Sequence, residues 1–90
     1  MSGVRAYRPH PDRLLQWRRE VGARVRDYRM LRNLTQEGLA GRLGVERRTI
    51  VRIELGTTSP PLDRILAVAA ALDAVPAALM PGWPDHTSSD

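Results

Sequence analysis

Ninety residues are enough for one small domain with a single core, and a hydrophobic fraction of 42% argues against wholesale disorder. The chain has no cysteine, which excludes disulfides and thiolate metal sites. Its net charge of +4 is unevenly spread, and all 14 basic residues are arginine. Three arginines face one acid over 1–16, ten face five over 17–56, and one faces four over 57–90. A polyanion is drawn to the first two-thirds of such a chain, and nucleic acid is the leading candidate.

The only aromatics are Tyr7, Trp17, Tyr28 and Trp83, so the core is aliphatic, which suits packed helices better than a sheet. His10 and His86 are isolated near the two ends. With no paired carboxylates and no phosphate-cradling loop, no metal, cofactor or enzymatic activity is expected. No apolar run is long enough to cross a membrane, and the arginines near the N-terminus precede no apolar stretch. A cytoplasmic protein is the expectation.

Residues 1–11, with Gly3, Pro9 and Pro11, read as a tail. It is read as solvated, with Arg5 and Arg8 available to make it an arm that touches DNA. From Asp12 to about Arg32, Leu14, Trp17, Val21, Val25 and Tyr28 recur at helical spacing, with Asp12 as the N-cap. Gly22 lowers helix propensity there and predicts a bend or a later start. A break follows at Asn33-Leu34. Thr35 then caps a second helix, Gln36 to Leu43, with Leu39, Ala40 and Leu43 inward, and Gly44 ends it in the left-handed conformation. A third helix runs from Arg47 to Leu55 and Gly56 stops it.

The segment TTSPP is a loop, because its prolines remove backbone donors. A fourth helix spans Leu62 to Leu72, with Leu62, Ile65, Leu66, Ala69 and Leu72 inward. Pro76 to Met80 makes a short fifth helix anchored by Leu79. Residues 81–90 read as a second tail, which leaves 12–80 as the folded domain.

The informative stretch is TQEGLAGRLGVERRTIVRIELG, two short helices joined by a tight glycine turn. Ala40 is small enough for the third helix to cross close over the second. Val45 plugs the corner, and Ile50 and Ile53 seat the third helix on the core. Its other face is then held outward, as in a helix-turn-helix that presents a recognition helix to the major groove.

From about Val21 to Met80 the chain resembles the phage-repressor and Cro-type (XRE-type) helix-turn-helix proteins. The resemblance rests on coupled features. Arg29 stands five residues before Leu34-Thr35-Gln36. Leu39-Ala40, Leu43-Gly44-Val45, Thr49-Ile50, Ile53-Glu54 and Gly56 follow, then Pro60, Leu62 and the Leu66…Ala69…Leu72 helix. It implies an all-α, five-helix domain of the lambda-repressor type that binds double-stranded DNA, as a homodimer on a two-fold operator.

The same resemblance implies roles for residues. Gln36 matches a glutamine that contacts phosphate. Arg47 and Arg48, and then Val51 and Arg52, match base-reading positions. Thr49 matches a phosphate contact, and Thr57 and Thr58 lie in a loop that touches the DNA backbone. Arg29 and Glu54 match a salt bridge that ties the first helix to the third. Three positions depart from the pattern. Gly38 stands where Glu is common, which removes the reciprocal partner of the Thr35 cap. Glu46 replaces the usual Ser or Thr cap of the third helix, where it either caps or pairs with a neighbouring arginine. Asp73 replaces a glycine, in a left-handed conformation that Asp tolerates.

On a helical wheel Ile50 and Ile53 lie about 60° apart, while Val51, Leu55, Arg48 and Arg52 fill an opposite arc of about 100°. A merely solvated face would not carry Val51 and Leu55. A groove-facing one uses aliphatic groups against thymine methyls and arginine against guanine, which predicts a guanine-containing half-site. Of Arg18, Arg19, Arg24, Arg26 and Arg32, Arg32 is the best phosphate candidate. Together these readings predict a small bacterial transcriptional regulator, a repressor rather than an activator. The rival reading is an antitoxin or adaptor that keeps the fold and binds a protein partner.

Overall fold

The computed structural model describes residues 9–82; the readings placed on 1–8 and 83–90 lie outside the described residues. Four α-helices follow one another, α1 (Pro11–Leu31), α2 (Gln36–Leu43), α3 (Arg47–Leu55) and α4 (Leu62–Ala71). A 3₁₀ turn at Pro76–Leu79 closes the domain. The all-α class is as expected, but the fifth helix is this single four-residue turn. Helix α1 packs on α3, α2 on both α3 and α4, and the 3₁₀ turn on α1 and α4.

Local chemistry sets the helix ends. The start of α1 differs from the expected Asp12 cap. His10 is the N-cap, its Nδ1 accepting from the Asp12 amide at 3.1 Å, and Pro11 opens the helix. The ring nitrogen reaches the same free amide that a carboxylate cap would serve, and Pro11 has no N–H to satisfy. Helix α2 starts as expected, with the Thr35 hydroxyl accepting from the Gly38 amide at 2.9 Å.

All four helices end in one pattern, a left-handed residue followed by a backbone bond that reaches back over the last turn. The left-handed residues are Asn33 (φ 58), Gly44 (φ 69), Gly56 (φ 74) and Asp73 (φ 53). The bonds run from Leu34 to Arg29, Val45 to Ala40, Thr57 to Arg52 and Ala74 to Ala69, at 2.9–3.1 Å. Gly56 alone of the two glycines is also sterically required. A Cβ there would lie 2.8 Å from the Arg19 backbone nitrogen, so both its conformation and the crowding exclude a side chain.

The core gathers Val25, Leu39, Ala40, Ile50, Ile53, Ile65, Val68, Ala69, Leu72 and Leu79. The expected inward face of α4 was rotated. Leu62 and Leu66 are exposed, and Val68 joins Ile65, Ala69 and Leu72 inside. The buried set keeps i, i+3, i+4, i+7 spacing, but α4 is apolar nearly all round, so the pattern does not fix its phase.

Candidate nucleic-acid interface

Helix α3 is held from behind, first by shape. Gly22 is buried in the middle of α1, and a Cβ there would collide with the Ile53 and Glu54 carbonyl oxygens of α3. The glycine that lowers helix propensity therefore sets how closely α1 approaches α3, and α1 runs unbroken through it from Pro11 to Leu31. Ile50 and Ile53 bury the inner face of α3.

A polar network then fixes α3 against α1 and α2. Arg29 forms a two-pronged bond to Glu54, with Nε to Oε2 at 2.6 Å and the guanidinium to Oε1 at 3.1 Å. The pair is shielded, with side-chain exposures of 11% and 4%. A third Arg29 donor reaches the Leu34 carbonyl at 2.9 Å, which ties in the turn before α2. Glu54 Oε1 also accepts from Gln36 Nε2 at 3.0 Å, and Gln36 Oε1 accepts from Arg47 at 3.2 Å. The chain Arg29–Glu54–Gln36–Arg47 thus links the shielded ion pair to the first residue of α3. Such a pair adds more to positioning than to net stability, because desolvation offsets much of the attraction. No side-chain nitrogen or oxygen buried among the described residues lacks a partner.

The outward face of α3 is treated differently. Arg48 and Arg52 are exposed, Val51 is half-buried, and Leu55 is 60% exposed. Glu46, at the N-cap position, makes no capping bond. Its Oε1 instead accepts from Arg48 Nε at 2.8 Å, an exposed pair of little energetic weight. The Arg52 guanidinium has no hydrogen-bond partner among the described residues.

The remaining residues singled out in the sequence border this face or lie apart from it. Gln36 and Thr49 are half-buried, and Thr57 is exposed, its hydroxyl 3.4 Å from the Arg52 carbonyl. Thr58 is half-buried in the loop before α4. Arg32 is placed elsewhere. It donates to the Leu72 carbonyl at 2.8 Å and the Asp73 carbonyl at 3.1 Å, and Arg42 donates to the Ala71 carbonyl at 3.1 Å. Two guanidinia thus cover the negative end of α4, where the helix dipole favours cations. These acceptors lie about 30 to 40 residues away in sequence, so no local pattern announces them. Gln36 as the bridge between Glu54 and Arg47 was also not foreseen. The signal that could have found the Gly22 contact is that glycine itself, standing alone inside an apolar periodic stretch.

A helix clamped along one side, with arginines and aliphatic groups on the other, defines a helix-turn-helix DNA-binding domain. Comparison with known proteins agrees. The sequence profile of the helix-turn-helix family HTH_3 matches residues 25–79, and the chain belongs to that family of transcriptional regulators. It is 48% identical over 46 residues to a protein named as an uncharacterised HTH-type transcriptional regulator of Methanocaldococcus jannaschii, spanning 51% of this chain and 70% of that one. Among solved structures it is similar to the restriction-modification controller protein C.AhdI from Aeromonas hydrophila. That match has a TM-score of 0.67 and 35% identity, covering 70% of this chain and 96% of the other. A hypothetical transcription factor, NHTF, from Neisseria superposes with a TM-score of 0.66 at 28% identity, over 87% of this chain and 86% of that one. No helix among the described residues is long and apolar enough to cross a membrane, and no group of three or more His, Cys, Asp or Glu among them can hold a metal.

Proposed function

We propose that the protein is a sequence-specific regulator that inserts α3 into the major groove of duplex DNA and represses by occupying its operator in the cytoplasm. The observation that supports this best is the division of α3. Its inner side is fixed by Gly22, Ile53 and Glu54, which leaves the exposed Arg48 and Arg52, with the half-buried Val51 between them, as an outward arc of the size a groove accepts. Arg48 and Arg52 read guanines, and Val51 packs on a thymine methyl. Arg47, steered by Gln36, reads the groove edge nearest α2. Gln36, Thr49, Thr57 and Thr58 contact the flanking phosphates. Arg32, engaged with the end of α4, is left out of that set.

A second copy completes the reading. Leu62, Leu66, Ala67 and Ala70 are exposed along one side of α4, an apolar stripe suited to a symmetric dimer. Two copies would place their α3 helices in successive major grooves about 34 Å apart on a two-fold site.

Selection of binding sites from random duplexes is the test. It should return a two-fold site with guanines in each half. Binding to random duplex should fall steeply with salt, because phosphate contacts release counterions. Absence of duplex binding even at low salt would overturn the reading and favour an adaptor or antitoxin that uses the fold to hold a protein.

A further inference from the structure

We propose that Arg19, on the turns of α1 that precede the span matched by the family profile, holds a phosphate of the DNA backbone beside Thr57. This rests on the DNA-binding reading above and adds to it a contact from α1. The starting point is a deficit of charge. The turn proposed to touch the DNA backbone, Gly56 to Pro61, contains no basic residue. It also follows the C-terminus of α3, the negative end of that helix, which repels an anion. A phosphate settles there only if another element brings a cation.

Helix α1 brings two. A Cβ on Gly56 would lie 2.9 Å from both Cα and Cγ of Arg19, so the Arg19 stem rests on the residue that ends α3. Its neighbour Arg18 is half-buried and donates from Nε to the Gly56 carbonyl at 3.1 Å. Arg18 thus offsets the negative helix end and is engaged there. Arg19 is exposed, and its guanidinium has no partner among the described residues. Its own helix offers none. The positions three and four away on either side are Leu15, Gln16, Gly22 and Ala23, and none is acidic.

The placement also aims Arg19 at this turn. It shares an arc of about 80° on α1 with Gly22 and Arg29, and both of those meet α3. Thr57, the residue after Gly56, is exposed. The Thr57 hydroxyl and the Arg19 guanidinium supply a neutral and a charged donor to one phosphate, whose oxygens match the arginine fork. Arg32, favoured for phosphate by the sequence, is engaged at the end of α4, and Arg19 takes its place. The family profile begins at residue 25, so the shared pattern does not point to Arg19.

The test is duplex binding by the full chain across a salt series. Each neutralised phosphate adds about 0.9 to the slope of log affinity against log salt. Arg19→Ala should weaken binding severalfold and lower that slope by about 0.9, alike on the selected site and on random duplex. Arg19→Gln keeps the stem on Gly56 without the charge and should behave the same, which guards against a loss of folding. Arg19→Lys should recover the slope. Arg13→Ala, an equal change of charge about 120° round the helix, should leave it unmoved. A wild-type slope in Arg19→Ala and Arg19→Gln would overturn this contact and leave the DNA-binding reading standing. A loss confined to the selected site would make Arg19 a base reader and overturn it too. An equal effect of Arg13→Ala would reduce Arg19 to a part of the general field. Absence of wild-type binding at low salt would overturn the reading itself, and this contact with it.

Discussion

Two clusters of arginine lie close to the helix-turn-helix and do opposite things. At the end of α4, Arg32 and Arg42 spend their donors on the carbonyls of Ala71, Leu72 and Asp73. On the outer face of α3, Arg48 is held only by the exposed Glu46, and Arg52 by nothing among the described residues. Residue type and exposure are the same, since Arg32, Arg42, Arg48 and Arg52 are all exposed. The difference lies in the acceptors. A helix C-terminus offers bare carbonyls to any cation in reach, whereas the outer flank of α3 has its carbonyls bonded within the helix. An arginine near a helix end is thus first a candidate cap, and one on a mid-helix flank is available to a partner.

The sharpest way to break the contrast is to remove what holds α3 in place. Glu54→Ala strips Arg29 and Gln36 of their shared acceptor and leaves a shielded cation, so a loss of about 3–5 kcal/mol is expected in urea unfolding. An unchanged midpoint would show that the network does not brace α3. Gly22→Ala comes next. Alanine is favoured over glycine in a helix by about 1 kcal/mol, yet collision with the α3 carbonyls should reverse the sign and cost about 1–3 kcal/mol in thermal unfolding.

Arg52→Ala should leave stability within about 0.5 kcal/mol and relax discrimination at one base pair by about 1–3 kcal/mol in a selection experiment. Equal loss on cognate and scrambled duplex would assign Arg52 to phosphate instead. Arg32→Ala should do the reverse, costing about 0.5–1.5 kcal/mol of stability with DNA affinity nearly unchanged. A tenfold loss of affinity without destabilisation would return it to the phosphate-contacting set. The smallest effect is expected from Glu46→Gln. It releases Arg48 and removes an anion from the side proposed to face DNA, so duplex affinity should rise a few-fold at low salt while stability is unmoved.

The helix boundaries were legible because single residues set them. Thr35, Gly44, Gly56 and Asp73 each carry out locally the job their chemistry suggests. The phase of α4 was not legible, since LDRILAVAAAL offers apolar residues on every side and only packing against α2 and the 3₁₀ turn selects among them. The N-cap of α1 was misplaced by two residues because His10 and Asp12 are both competent caps. Among the site residues, the outward arc of α3 could be drawn from periodicity. The fate of Arg32 and the bridging role of Gln36 depend on which helices meet, and sequence spacing within one helix does not carry that.

The contact at Gly22 bears on how such a protein acquires new targets. What α1 touches there is main chain, the carbonyl oxygens of Ile53 and Glu54, and main chain is common to every sequence α3 might carry. Positions 48, 51 and 52 contribute nothing to that contact or to the Arg29–Glu54–Gln36 linkage. On the proposed reading of α3, the scaffold could therefore be retargeted by rewriting those outward letters, with selection acting on the operator match while the hold on the helix is inherited unchanged.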